Sequence, residues 1–356
     1  MIEYYIWFSM INISHKHKLN ILKEYKDLKY FYEICSANKF NDKILQKKLL
    51  SYYDEKAINK VLDIIYRNDI KVISYFDYLY PEKLKVYEDA PSILYFKGDI
   101  CKINLTYNIS IVGSRKCTYY GLKVAEILSS ELSKNNINII SGMAKGIDTT
   151  AHKYSLENHG YTCAILGSGL DVIYPSENEA LYGNIIQNGC VISEFPPGTP
   201  PLAQNFPIRN RIISELSDIV IVIEAGLKSG SLITARLALD IGIDVMAVPG
   251  SIFSEQSKGC NKLIKDGAFP LTCIEDIFDL LNLCYSSNII QNQEELSIIE
   301  KKICKLICDS PIHFDDIIKI TKVDIKHLYE VLFELQLKDE ILCLAGNYYV
   351  RNNKVI

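Results

Sequence analysis

Gly113-Ser114-Arg115, after one short apolar run, and Phe206-Pro207-Ile208-Arg209-Asn210-Arg211, before another, are the residues of this chain best suited to chemistry. Both place arginine where its fork of N–H donors can meet a phosphate. Glycines collect in comparable turns: Gly142 and Gly146, Gly167 and Gly169, Gly226 and Gly230, then Gly250. Glycine lets a ligand approach main-chain N–H groups, and helix N-termini behind such turns favour anions. With Arg115, Lys145, Arg209, Arg211 and Lys228 in or beside these turns, the set is expected to form a groove for a polyanion.

Short β-branched runs position these turns: Ile109–Val112, Asn138–Ser141, Thr162–Leu166, Cys190–Ser193, Ile219–Ile223 and Asp244–Val248. Helical patterns lie between them, as in Gly121–Lys134, Thr149–Asn158 and Ser231–Leu239. Near-continuous apolar strands alternating with helices predict a parallel sheet covered on both faces, a doubly wound α/β domain over residues 69–284. Ligands of such sheets bind at the carboxyl ends of the strands, where the glycine turns fall.

Residues 1–68 read as helices, with Leu19, Leu22, Tyr25 and Leu28 at helical spacing and lysines on the other faces. Residues 285–294 are polar and aperiodic, a linker. Over 295–356, helices at Leu296–Cys308, Phe314–Ile320 and Ile325–Leu337 precede a hairpin, the winged-helix pattern. Its third helix sets Asp324, Glu330 and Glu334 against Lys322, Lys326 and His327, a poor balance for neutralising phosphate. Protein contact or packing is the expected role.

Net charge is −4, so any polyanion site must be a local patch. Eleven scattered cysteines without a Cys-x-x-Cys pair argue against structural zinc and disulfides, and for reduced thiols in a cytoplasmic protein. No metal is expected. The N-terminus lacks a basic n-region and a cleavage site, and no run reaches the roughly 20 apolar residues of a membrane helix. The first turn lacks the Gly-x-Gly-x-x-Gly of a dinucleotide site, and Gly226–Ser231 lacks the P-loop lysine, so no cofactor is expected. Asp148 is expected to N-cap its helix, with His152 packing one turn along. Cys117 has no histidine base, and Glu224 is expected to orient an arginine or the loop Lys228–Ser231. No catalytic residue is assigned.

From Ile109 to about Ile277 the chain resembles the DNA-processing protein A family (DprA, also called Smf). The motifs that carry this are Gly113-Ser114-Arg115, Tyr120-Gly121, Ser141-Gly142-Met143-Ala144-Lys145-Gly146-Ile147-Asp148, Leu166-Gly167-Ser168-Gly169-Leu170-Asp171, Tyr174-Pro175, Ser193-Glu194-Phe195-Pro196-Pro197-Gly198, Phe206–Ile213, Ser229–Ala235 and Val248-Pro249-Gly250. The resemblance implies an extended Rossmann-like core that binds single-stranded DNA, dimerises and loads the RecA recombinase. It implies a role in natural transformation (competence and DNA uptake), protecting incoming DNA and helping RecA displace single-strand-binding protein. It also implies a small helical N-terminal domain, of the SAM or helix-hairpin-helix kind, and a winged-helix-like C-terminal domain. Carried onto this chain, it implies DNA contacts from Gly113, Ser114 and Arg115; Ser141, Gly142, Lys145 and Gly146; Gly167, Ser168 and Gly169; Phe206, Arg209, Asn210 and Arg211; and Ser229, Gly230 and Ser231. Phe206 is the candidate for base stacking, with core packing as its other reading. The alternative function is a nucleotide-processing enzyme similar to the lysine decarboxylase-like phosphoribohydrolases. Their Pro-Gly-Gly-x-Gly-Thr-x-x-Glu turn is absent here, where the chain reads Glu224-Ala225-Gly226-Leu227-Lys228-Ser229-Gly230-Ser231.

Overall fold

A computed structural model describes residues 2–285, 298–308, 310–337 and 340–352. The chain folds as two units, Met1–Tyr285 and Ser286–Ile356. Five helices open the first: α1 (Ile2–Met10), α2 (His15–Tyr25), α3 (Leu28–Ser36), α4 (Lys43–Ser51) and α5 (Glu55–Arg67). Ser14, Asp27, Asp42 and Asp54 cap the last four, each accepting from first-turn N–H groups that have no intrahelical acceptor. Trp7, Phe8, Phe31 and Leu49 are fully buried, and the Trp7 indole donates to the Leu49 carbonyl (3.1 Å). The same core runs on through Ile93, Tyr95 and Ala164, so the five helices and the sheet share one interior.

The sheet elements follow in chain order as β1 (Lys71–Ser74), β2 (Ile93–Gly98), β3 (Asn108–Val112), α6 (Tyr119–Lys134), β4 (Asn138–Ser141), α7 (Ile147–Glu157), β5 (Thr162–Ile165), α8 (Glu179–Asn188) and β6 (Cys190–Ser193). They continue with α9 (Asn205–Glu215), β7 (Ile219–Val222), α10 (Ser231–Asp240), β8 (Asp244–Ala247), α11 (Lys258–Lys265), β9 (Phe269–Pro270) and α12 (Glu275–Leu280). The strand order is β1-β2-β6-β5-β4-β3-β7-β8-β9. The six strands expected from the sequence are all present and parallel to one another. Three more strands extend the sheet: β1 and β2 pair antiparallel beyond β6, and the two-residue β9 adds to β8. Helices α6, α7 and α12 pack on one face through Leu128, Ala151 and Ile277, and α9, α10 and α11 on the other through Ile212, Ala235 and Leu263.

From β3 the chain builds outward through β4, β5 and β6, then returns to the far side of β3 for β7 and β8. That reversal opens a crevice beyond the carboxyl ends of β3 and β7, the place where doubly wound sheets take ligands. Close packing holds the turn there: a Cβ on Gly113 would lie 2.5 Å from the Ile147 side chain at the start of α7.

In the second unit, α13 (Ile298–Leu306), β10 (Ile312–His313), α14 (Phe314–Thr321), α15 (Ile325–Leu337), β11 (Ile341–Leu344) and β12 (Tyr348–Arg351) form three helices and a three-stranded sheet, β10-β12-β11. Ile303, Ile317, Leu328 and Leu332 make its core. The linker expected at 285–294 lies, except for Tyr285, outside the described residues, as does Leu296. Among the described residues no helix is long and apolar enough to cross a membrane.

Gly113→Ala is expected to cost about 1–3 kcal/mol by overpacking the β3 turn against α7, read as a lower urea midpoint at constant m. An unchanged midpoint would mean that α7 can retreat at no cost.

Candidate functional site

A cleft of about 740 Å³ opens at the β3–β7 reversal, with Arg115, Asp148, Phe206, Lys228, Ser231 and Gln256 among its walls. The β3 turn is braced from below. Ser114 N–H donates to the Glu224 carbonyl (2.7 Å), and the Ser114 hydroxyl donates to Gln256 Oε1 (2.9 Å) while accepting from Lys116 N–H (3.1 Å). This leaves the Arg115 side chain exposed, its guanidinium carbon 5.4 Å from the centre of the Phe206 ring. Arg209 approaches the same ring at 5.9 Å, and the exposed Tyr174 lies 5.7 Å from it. Among the described residues no carboxylate lies within salt-bridge distance of Arg115, Lys116 or Lys228.

The two α9 arginines diverge, because residues two apart on a helix face different ways. Arg209, 4% exposed, forms the floor: Nη1 donates to the carbonyls of Gly142 (2.8 Å) and Ile165, and Nε to Asn210 Oδ1 (3.1 Å). Arg211 does not reach the cleft, which corrects its assignment to a phosphate track. It is buried among Glu194, Glu215, the Asp89 carbonyl and His15. Burial alone would lower its pKa, but Glu194 and Glu215 hold it above the ordinary arginine value. Burial pushes Glu215 up to about 7 against the pull of Arg211.

The remaining turns divide between lining the cleft and supporting it. The Ser141 hydroxyl donates to the Ile111 carbonyl (2.6 Å) inside the sheet, and Gly142 N–H donates to Asp148 (3.2 Å), so neither is open to a ligand. Asp148 is not the N-cap of α7. Gly146 is, with φ +81, and a Cβ there would meet the Ser114 carbonyl at 2.6 Å. Asp148 instead stands one residue inside α7 and ties down the Gly142–Ala144 turn. Burial pushes its carboxyl up to about 6, opposed by Arg209, the two backbone N–H donors and Arg115. Lys145 pairs with Glu177 (2.7 Å), but both are more than half exposed, so a ligand phosphate can compete for it.

Gly167, Ser168 and Gly169 do not line the cleft; they pack behind it. The Ser168 hydroxyl donates to the Val172 carbonyl, Gly169 N–H to the Thr199 carbonyl, and a Cβ on Gly167 would touch the Phe206 ring at 3.0 Å. Ser229, Gly230 and Ser231 do reach the wall, at the start of α10, where the Leu232 and Ile233 N–H groups donate to the Ser229 and Gly230 carbonyls (3.2 and 3.1 Å). Glu224 orients no arginine: its carboxylate accepts from Thr118 N–H (2.7 Å) and the Thr118 hydroxyl (2.6 Å), holding the start of α6. His152 is fully buried and pushed down to about 3 by burial, and burial raises the Cys117 thiol. Tyr174, Lys116 and Gln256 belong to the cleft but were not assigned to it from sequence, since nothing in their spacing places three separate loops together. No group of three or more potential metal ligands occurs among the described residues.

Fold and cleft thus define a doubly wound α/β protein with a cation-lined cleft at its sheet reversal and an appended winged helix. The family described as DNA recombination-mediator protein A matches residues 71–282, and the DprA winged helix domain matches 291–347. DNA processing protein DprA of Streptococcus pneumoniae is 45% identical over 204 residues, 57% of this chain and 72% of that protein. Protein Smf of Escherichia coli is 35% identical over 282 residues, 76% of this chain and 74% of its own. The X-ray structure of the Streptococcus pneumoniae protein superposes with a TM-score of 0.68 at 35% identity, covering 78% of this chain and 97% of that one. DNA processing protein A of Helicobacter pylori, described for its single-stranded DNA binding mode, superposes at 0.55 with 31% identity, over 60% of this chain and 95% of that one. The chain belongs to the DNA recombination-mediator protein A family.

The two kinds of arginine separate by stability. Arg211→Ala strands Glu194 and Glu215 and is expected to cost about 3–5 kcal/mol, whereas Arg115→Ala should stay within about 0.5 kcal/mol. Equal losses in urea titrations would contradict the division. A pH effect also follows. Asp148 is neutral below about 6 and charged above it. A phosphate nearby adds negative charge and favours the neutral form, so affinity for an oligonucleotide should rise as pH falls through this range. Asp148→Asn should flatten that rise; an identical pH profile in the variant would place the titrating group elsewhere.

Proposed function

We propose that the chain binds single-stranded DNA without turnover, holding phosphates on Arg115, Lys116 and Lys228 and a base against Phe206. The observation that carries this reading is the half-buried Phe206 ring, flanked by two guanidinium groups and Tyr174 and bordered by cations without carboxylate partners. Stacking and charge tolerate any sequence, which suits a protein that coats strands as they come. The Helicobacter pylori neighbour, described for its single-stranded DNA binding mode, supports the same ligand. Beyond binding, the reading is that the chain loads RecA onto the strand as a cytoplasmic homodimer and helps displace single-strand-binding protein during transformation or recombination; membership of a family described as a recombination mediator supports it. The winged unit contributes little to strand affinity in this reading: Asp324, Glu330 and Glu334 offset the lysines of α15 and its approach.

The phosphoribohydrolase reading has less support. Glu224, the acid its chemistry would recruit, is 2% exposed and engaged with Thr118.

Fluorescence anisotropy with a labelled strand, duplex as competitor and two salt concentrations tests the proposal. The expected result is salt-sensitive binding that prefers the single strand, with Arg115→Ala weaker by about 1–3 kcal/mol and showing a shallower salt slope. Undiminished binding by Arg115→Ala would remove the cleft from the mechanism.

A further inference from the structure

The loop from β8 to α11 carries an apolar tip that the cleft described above leaves unused. Phe253 is 90% exposed and Ile252 75%, and Leu227 on the neighbouring β7 turn is 58% exposed. Singly exposed apolar side chains are ordinary, but these three stand on two loops hydrogen-bonded to each other, and Leu227 is next in sequence to the cleft cation Lys228.

The loop is held against the cleft. Ala225 N–H donates to the Gln256 carbonyl (2.7 Å), the Ser114 hydroxyl reaches the Gln256 side chain (2.9 Å), and a Cβ on Gly226 would sit 3.5 Å from the Glu255 carbonyl. Its far end is equally tied: Tyr120 donates to the Pro249 carbonyl (3.0 Å), and Asn261 bonds both the N–H and the carbonyl of Gly250 (3.2 and 2.9 Å). Ser254 N–H to Ser251 O (3.0 Å) and Ser257 N–H to Ser254 O (3.2 Å) close the bend between. The ring is therefore presented by an anchored bend. Glu255, the nearest acid in sequence, is paired with Lys258.

We infer that Phe253 is a second stacking position for the DNA strand, met where the strand leaves the cleft past Lys228 on the β8 side. This rests on the strand-binding reading proposed above. Bases and phosphates alternate along a strand, so a backbone that follows Arg115, Lys116 and Lys228 brings its next bases over the rim formed by Leu227, Ile252 and Phe253. An aromatic face beside a cationic groove is the arrangement that binds single strands irrespective of sequence.

The test uses the full chain with oligo(dT) of about 6 and about 20 nucleotides, lengths that bracket one cleft and its surroundings. Phe253→Ala is expected to weaken the longer strand about tenfold and the shorter less than about twofold, with an unchanged salt slope because no phosphate contact is lost. Phe253→Trp should keep the affinity, and its indole fluorescence should be quenched on binding; the native Trp7 is fully buried and serves as a constant background. Unaltered affinity of Phe253→Ala for the longer strand would overturn the inference while leaving the strand reading intact. Loss of affinity with a change in sedimentation would overturn it in favour of a contact between copies of the chain. Failure of the unaltered chain to bind either strand would overturn both.

Discussion

A guanidinium almost without water contact has to find its acceptors inside the protein, and Arg209 finds them at the carboxyl ends of β4 and β5. Burial lowers its pKa to about 10, with Asp148 opposing the shift and Arg115 adding to it, so the cation persists at neutral pH. Its carbonyl partners lie on adjacent strands, and α9, which carries it, also carries Phe206. One buried charge thus sets the height of the cleft floor, the position of the Phe206 ring and the position of the Gly142 turn. A Cβ on Gly142 would come within 2.6 Å of the same guanidinium, which accounts for glycine there.

Charge in the cleft is layered. Arg209 is buried beside Asp148, Arg115 is exposed against the Phe206 ring, and Lys116 and Lys228 line the same cleft as exposed cations. Elsewhere on the α/β body many lysines are matched to acids three or four residues away, as in the pairs of Lys123 with Glu126 and Lys134 with Glu131. A chain with a net charge of −4 can therefore offer a polyanion a localised attractive field without being basic overall.

Much of this was legible in the sequence. The six parallel strands were readable because each is a short run with an apolar centre alternating with helical patterns, and glycine turns marked most of their carboxyl ends. Arg115 and Phe206, which stand in separate motifs, do meet at one cleft. Arg211 was misplaced because the sequence shows it two residues from Arg209 but does not show Glu194, 17 residues earlier and on another loop, waiting to neutralise it. Gly167 and Gly169 read as ligand-facing turns and prove to be room for packing, Gly167 for the Phe206 ring and Gly169 for Asp171 and the backbone of Pro196 and Gly198, a distinction only packing can make. Asp148 shared a helix face with His152, yet its acceptors were engaged by the preceding turn. Strands β1, β2 and β9 were unread: β9 has two residues, and β1 and β2 precede the strand–helix alternation that marked the six parallel strands.

The central claim is that a strand lies over Phe206 at the β3–β7 reversal. Photo-crosslinking of a 5-iodouracil-substituted oligonucleotide, followed by mass spectrometry of the modified peptides, tests it most directly. Crosslinks at Phe206 and Tyr174 are expected, lost when Arg115 is replaced by alanine. Crosslinks confined to the helices of residues 2–67 or to the winged unit would contradict it.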